Sequence, residues 1–263
     1  MKYKAGFIGT GNMGGALATG VYKECKDIAL CNRTKQKALD LQKKLKSSHV
    51  TDLKDIAANS QYVFLGMKPN TILNVACEVK KYITPSTIVV SMAAGITLDD
   101  LINATGTKRC IRILPNIPCA TGQGIVLYCT GKGITKKEET DFVKLLSPTG
   151  LVDKVDEAMF DAAATLTGCG PAFVYIFAQS LADGAVAIGV PRKKALAYAA
   201  QMIKGSAQMM IESDKHPDQL KDEVCSPGGT TIEGVLTLEE YSFRVGCSNA
   251  IKAAYEKTER LKK

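Results

Sequence analysis

The chain is poor in the residues that build metal centres and covalent frameworks. Only two of its 263 residues are histidine, His49 and His216, and their separation argues against a histidine-based metal site. The nine cysteines, scattered from Cys25 to Cys247, are odd in number and include no C-x-x-C pair. Neither a zinc knuckle nor a disulfide framework fits that spacing, so buried thiols in a reducing compartment are expected, and no metal. No uninterrupted apolar run approaches the roughly 18 residues of a membrane span. Met1 to Ile8 reads as a strand and not as a signal peptide. The expectation is a cytoplasmic protein with no membrane partner. The net charge of +8 collects in Lys35 to Lys46, at Lys136 and Lys137, and at Lys262 and Lys263. It lacks the aromatic interleaving of a nucleic-acid surface, so a solvated face or attraction to small anions is expected and no nucleic acid. At 46% hydrophobic and 23% charged residues the chain is globular, with room for one large domain or two modest ones.

What is present starts at the glycines. Gly9-Thr10-Gly11-Asn12-Met13-Gly14 follows the apolar run Ala5 to Ile8 directly and opens into a helical pattern from Gly15 to Tyr22, with Met13, Leu17 and Val21 on one side. Between a strand and a helix, G-x-G-x-x-G is a dinucleotide fingerprint. Gly9 allows the tight turn, Gly11 lets a pyrophosphate approach backbone N–H groups, and Gly14 lets helix and strand pack closely. A turn without a ligand is the bland alternative. A second strand, Ile28 to Cys31, ends in Asn32-Arg33-Thr34 ahead of a lysine-rich helix from Lys35 to Leu45. An NAD site places Asp or Glu there, whereas these residues offer donors and positive charge to a 2′-phosphate. NADPH is therefore expected, with NADH as the alternative. Arg33 and Lys35 also read as ordinary surface charges at a helix start.

The α/β alternation continues through strands at Tyr62 to Gly66, Thr87 to Ser91, Lys108 to Ile113, Gly124 to Cys129 and Gly150 to Lys154. Helices are expected at Leu53 to Asn59, Thr71 to Val79 and, after a cap at Thr135, Lys136 to Leu146. In an open parallel sheet, ligands lie at the carboxyl ends of strands. Met67-Lys68-Pro69 and Met92-Ala93-Ala94-Gly95 fall at that edge, where Lys68 can face ribose or phosphate and the alanines can admit a flat ring or fill a plain turn. Leu114 to Pro118, restricted by two prolines, suits the floor of a nicotinamide ring.

From Glu157 onward almost everything reads as helix. Gly168-Cys169-Gly170-Pro171 is expected to end one helix and start another, with Pro171 in a first turn. Ala172 to Ile188 has Asp183 as its only charge. So apolar a helix needs a large core or a partner subunit around it, and obligate dimerisation is expected. The fold class is thus α/β, a Rossmann-type N-terminal domain over 1–163 followed by an all-helical C-terminal dimerisation domain over 164–263.

Within the helical half, Cys225 to Ile232 is a second glycine-rich turn. Gly228 and Gly229 expose N–H groups ahead of a helix, which suits a carboxylate, and Thr230 or Thr231 can cap that helix or donate a hydroxyl. A well-capped interhelical turn is the alternative. The helix after Pro171 carries no Lys or His to serve a ketone or alcohol as proton donor. A cyclic imine brings its own proton as an iminium, so a carboxylate-bearing imine fits this donor-poor site. A hydroxyacid dehydrogenase would want a lysine on that helix, and a nucleotide-binding sensor would not need the second turn.

The chain strings together Phe7-Ile8-Gly9-x-Gly11-Asn12-Met13-Gly14, Lys68-Pro69, Ser91 to Gly95, Arg112-x-x-Pro115-Asn116-x-Pro118, Thr167 to Ala172, Leu181 to Pro191, and Leu220-Lys221-Asp222 before Ser226 to Ile232. The complete series resembles the pyrroline-5-carboxylate reductase family over essentially the whole chain. The resemblance implies hydride transfer from NAD(P)H to 1-pyrroline-5-carboxylate, giving L-proline in the final step of proline biosynthesis. Gly9 to Met13 then match the pyrophosphate loop, Asn32, Arg33 and Thr34 the adenosine-phosphate end, and Met67, Lys68 and Ala93 the ribose and nicotinamide contacts. Ser226 and Thr231 match the catalytic positions, with the Thr231 hydroxyl on the ring nitrogen. Gly228, Gly229 and Thr230 match the carboxylate turn, and Asp214 a position that often carries Glu near the substrate of a partner subunit. Glu223 stands where mammalian relatives carry Asn, leaving a cofactor contact there in doubt. A homodimer is implied, which some members assemble into a decamer as a pentamer of dimers.

Overall fold

The computed structural model describes residues 2–46 and 48–261. Met1, Lys262 and Lys263, named above for strand pattern and charge, lie outside the described residues. Two compact units emerge, one of Met1–Gly168 with Tyr255–Lys263, the other of Cys169–Ala254.

The first unit is built on short apolar runs that are buried on both faces, as a covered parallel sheet requires. Strands β1 (Tyr3–Ile8), β2 (Ile28–Cys31), β3 (His49–Val50), β4 (Ser60–Leu65), β5 (Ile88–Ser91), β6 (Cys110–Pro115), β7 (Gly124–Thr130) and β8 (Gly150–Lys154) form one sheet in the order β3-β2-β1-β4-β5-β6-β7-β8. One face packs on α1 (Asn12–Glu24), α2 (Lys35–Lys44) and α6 (Lys136–Leu146). Its centre is the stacked pair Phe7 and Phe64, ring centroids 4.6 Å apart, flanked by Phe142. The other face packs on α3 (Leu53–Asn59), α4 (Pro69–Val79), α5 (Leu98–Thr105) and the first turns of α7 (Glu157–Ala187).

Four features depart from the sequence reading. Helix α5 was not expected, although Thr97 and Asp100 form the capping box that starts it. The two-residue β3 is too short to leave a period. Strand β7 runs antiparallel to β6, because only a short 3-10 helix, Ile117–Thr121, links them and a parallel crossover needs a dozen residues or more. Finally, α7 does not break at Pro171 but continues through it to Ala187.

A cap also sets a pH response. Glu138 closes the capping box of α6 with Thr135 and is ion-paired with Arg109. The Arg109 guanidinium, helped by the Thr135 donors, holds the Glu138 carboxyl down at about 2. Its folded-state affinity for protons is below that of the unfolded chain, so its stabilisation is complete above about pH 4.5 and is lost as pH falls towards 2. Glu138→Gln should flatten the acid limb of a thermal-unfolding profile between about pH 5 and 3 and lower stability at neutral pH. An unchanged acid limb would contradict this account.

The second unit holds the rest of α7, then α8 (Arg192–Glu212), α9 (Pro217–Val224), α10 (Thr230–Glu240) and most of α11 (Phe243–Leu261). Its own buried core is small: Ala182, Ala195 and Ala199, with Leu181, Ala185, Val186 and Val190 packed around them. Large apolar side chains including Val174, Tyr175, Ile176, Tyr198, Met202 and Met209 face outward in the single chain. The apolar helix is therefore not covered by a core of its own chain. By length and composition alone α7 is long and apolar enough to cross a bilayer. It shows no uninterrupted apolar run because Thr165, Thr167, Gln179 and Ser180 punctuate it.

Candidate functional site

In the first unit, the six mutually parallel strands β1 to β6 bring their carboxyl ends to one edge. Strand order reverses between β1 and β4, opening the crevice in which doubly wound sheets bind ligands. Gly9 lies there with φ 98°, in the left-handed region that glycine tolerates, and a Cβ on it would stand 2.4 Å from the carbonyl oxygen of Gly66. A Cβ on Gly14 would meet the Gly9 carbonyl at 2.1 Å. The start of α1 and the turn after β4 thus press together through three glycines, a contact that any side chain would wedge apart. Gly66 is the member that sequence reasoning overlooked, being taken as the end of a strand. Met92, after β5, reaches the same place, its Cε 2.8 Å from where a Gly66 Cβ would be.

Asn32 ties the second strand to the loop. Its Oδ1 accepts the Thr10 N–H at 3.0 Å and its Nδ2 donates to the Thr34 carbonyl at 3.1 Å. The amide expected to face a nucleotide phosphate is therefore engaged in shaping the glycine loop, and the exposed Arg33 and Thr34 are the neighbours left facing solvent. Among the described residues Arg33 has no ion-pair partner. Met67 is half-buried and Lys68 exposed beyond β4, while Ala93 is buried beyond β5 with its N–H on Ser91 Oγ. Met13 lies outside the buried stripe of α1, which Gly14, Leu17, Ala18, Gly20 and Val21 form.

Two observations show that this edge fits a dinucleotide. Among the described residues a Cβ on Gly11 would meet nothing within 4 Å, so the loop is open on the side where backbone N–H groups start α1. Beside it, Thr10 Oγ1 is buried and has no hydrogen-bond partner among the described residues, a polar atom that a bound group would satisfy. Gly9 to Gly14 would hold the pyrophosphate and the Arg33 side the adenosine end.

A buried charge cluster braces the same unit. Arg112, 1% exposed within β6, is ion-paired with Asp161 and lies 3.6 Å from Glu157. Its guanidinium stacks over the Phe160 ring at 4.2 Å. Glu157 also accepts the Leu98 N–H at 2.6 Å, joining the start of α5 to the start of α7. An arginine inside the apolar run Cys110 to Leu114 was the sequence signal for this cluster. Burial pushes the Cys110 thiol up to about 11 and the Cys129 thiol to about 12, which keeps both protonated and unreactive. Among the described residues no cluster of three or more His, Cys, Asp or Glu can hold a metal ion.

The second unit carries the other glycine turn, between α9 and α10. The Gly229 N–H donates to the Ser226 carbonyl at 3.0 Å, and Gly228 has φ 68°. This corrects the expectation that both glycine N–H groups are free: one closes the turn. The expected threonine cap is absent too. Gly229 itself is the N-cap of α10, and neither Thr230 nor Thr231 caps it. A helix that starts at Thr230 has unpaired N–H groups through its first turn, so the binding capacity moves from the glycines to the Thr230 and Thr231 amides. A Cβ on Gly229 would stand 2.3 Å from Ser226 Oγ, which explains the glycine. Ser226, Thr230 and Thr231 are exposed, and the Ser226 and Thr231 hydroxyls have no partner among the described residues. Asp214 is exposed in the turn between α8 and α9, with no hydrogen bond or ion pair to this turn among the described residues. Its neighbour Lys215 is paired with Glu223, so Glu223 is engaged within its own unit.

A glycine loop at the switch point of a doubly wound sheet defines the first unit as a dinucleotide-binding oxidoreductase domain, and residues 4–95 match the family of coenzyme F420-dependent NADP oxidoreductases. Residues 157–261 match the pyrroline-5-carboxylate reductase dimerisation family. The chain is 40% identical to pyrroline-5-carboxylate reductase 3 of Danio rerio, covering 99% of this chain and 92% of that one. It is 36% identical to the pyrroline-5-carboxylate reductase of Arabidopsis thaliana, over 99% and 96%. Its fold matches the crystal structure of Plasmodium falciparum pyrroline carboxylate reductase with NADP bound, with a TM-score of 0.89, 29% identity and complete coverage of both chains. The chain belongs to the pyrroline-5-carboxylate reductase family.

Proposed function

We propose that the protein reduces 1-pyrroline-5-carboxylate to L-proline with NADPH, the final step of proline biosynthesis. The observation that carries this reading is the 36% and 40% sequence identity, over 99% of this chain, to two pyrroline-5-carboxylate reductases. The Ser226 to Thr231 turn supports it, because among the described residues its Ser226 and Thr231 hydroxyls and its helix-start amides have no partner and can meet a carboxylate and a ring nitrogen. When bound, NADPH supplies the hydride. The chain's own part is to hold an iminium whose carbon accepts it, and no protein acid is needed because the nitrogen already carries its proton.

In this reading Ser226 Oγ and the Thr230 and Thr231 amides hold the carboxylate, with Gly228 and Gly229 shaping the turn. The Thr231 hydroxyl holds the ring nitrogen, and Asp214 acts near the substrate of a partner subunit. Gly9, Thr10, Gly11, Asn12, Met13 and Gly14 hold the pyrophosphate. Arg33 and Thr34, positioned by Asn32, face the 2′-phosphate, while Met67, Lys68 and Ala93 border ribose and nicotinamide. Domains of 1–163 and 164–263 divide these tasks. The working form is a cytoplasmic homodimer, with assembly into a decamer as a further step and no nucleic-acid or membrane partner. The uncovered apolar side chains of α7 and α8 are what a second copy of the chain would cover.

The test is absorbance loss from NADPH, and separately NADH, with 1-pyrroline-5-carboxylate as substrate, for wild type and Arg33→Ala. Turnover favouring NADPH, with the preference reduced about tenfold or more in Arg33→Ala, is expected for a lost phosphate contact. No turnover with either nucleotide, from protein shown to bind NADPH, contradicts the reading.

A further inference from the structure

Pro171 lies in the interior of α7 and has no N–H, so the Thr167 carbonyl four residues earlier lacks its helical donor. Asn116 Nδ2 donates to that carbonyl at 3.2 Å. Its Oδ1 accepts the Ile125 N–H at 2.9 Å and the Cys119 thiol at 3.7 Å. The backbone is equally engaged: Asn116 N–H donates to the Ile125 carbonyl at 3.2 Å, and its carbonyl accepts the Cys119 N–H at 3.1 Å. This buried residue therefore pins the 3-10 turn Ile117–Thr121, the start of β7 and the unpaired carbonyl of α7 with one side chain.

That turn follows β6, which is parallel to β5, so it lies at the sheet edge of the glycine loop. It packs along α1, whose Gly20 faces the Cys119 carbonyl at 3.5 Å from a would-be Cβ. A Cβ on Gly124 would strike Cys119 Sγ at 2.3 Å, so the turn has no room to slide on that side. We infer that Asn116 is a positioning residue for hydride transfer, holding the Ile117–Thr121 turn in register as the floor for the nicotinamide by borrowing the α7 carbonyl that Pro171 leaves free. This rests on the reduction proposed above. A floor displaced by a fraction of an ångström moves the reacting ring and lowers kcat, while affinity, set by the pyrophosphate and carboxylate contacts, changes little.

Asn116→Asp separates the two bonds, since it keeps an acceptor for Ile125 but places an oxygen against the Thr167 carbonyl. Pro171→Ala supplies the missing N–H at Thr167 from within the helix. Steady-state kinetics with NADPH and the imine, beside thermal unfolding, are measured for wild type, N116D, P171A and N116D/P171A. The expected result is a kcat loss on the order of tenfold or more in N116D, with both KM values within about threefold of wild type, and recovery of most of that loss in the double variant. Wild-type kcat in folded N116D overturns the inference, as does a double variant no better than N116D. If N116D does not fold, an active double variant supports the inference and an inactive or unfolded one refutes it. An inactive wild type would instead refute the reduction itself, and this inference with it.

Discussion

Asp161→Ala is expected to destabilise the first unit by about 3–5 kcal/mol, read as a lower urea midpoint with an unchanged slope. Arg112 is 1% exposed, and its charge is matched inside the fold by Asp161, with Glu157 at 3.6 Å. Removing one carboxylate leaves a buried guanidinium facing Phe160 and the protonated Cys129 thiol, and water cannot reach it without opening the contact between β6 and α7. The remaining partner cannot simply turn inward, because Glu157 is also committed to the Leu98 N–H. The paired change Arg112→Met with Asp161→Leu should be far milder, since it removes the desolvation cost together with the attraction. A loss below about 1 kcal/mol in Asp161→Ala would mean that the pair is not confined as described.

Thr231→Ala should lower kcat/KM for the imine by about a hundredfold while leaving the thermal midpoint within about a degree of wild type. The reason is that the Thr231 hydroxyl supports nothing else: it is exposed, does not cap α10 and has no partner among the described residues. Ser226→Ala should act differently. Its hydroxyl also has no partner among the described residues, but in the proposed reading it contacts the carboxylate equally in ground and transition states, so KM should rise more than kcat falls. Normal turnover in Thr231→Ala would remove that residue from the chemistry.

How much of this was legible beforehand depends on the range of the interaction. Ile28–Cys31, Leu53–Asn59 and Gly150–Lys154 coincide with the runs that their composition marks, because apolar runs and caps are local signals. Gly9 to Gly14 was legible for the same reason: close backbone approach leaves glycines at fixed spacing. Gly66 makes the same approach, but its partner is Gly9, and nothing local to β4 announces that. The continuity of α7 was misread because the donor that replaces the Pro171 N–H comes from Asn116, 51 residues before Thr167. The direction of β7 followed from a link too short for a crossover, a constraint visible only once Ile117–Thr121 is seen to be a tight turn. In the second turn, the glycines were recognised but the hydrogen bond from Gly229 to Ser226 was not, which moved the free donors from the glycines into the first turn of α10.

The measurement that bears most directly on the central claim is the fate of the hydride. With NADPH carrying deuterium at the transferred C4 position and 1-pyrroline-5-carboxylate as substrate, the proline formed should gain one deuterium, located at C5. Proline without the label, or oxidation of the nucleotide with no proline formed, would show that the protein does not carry out this reduction.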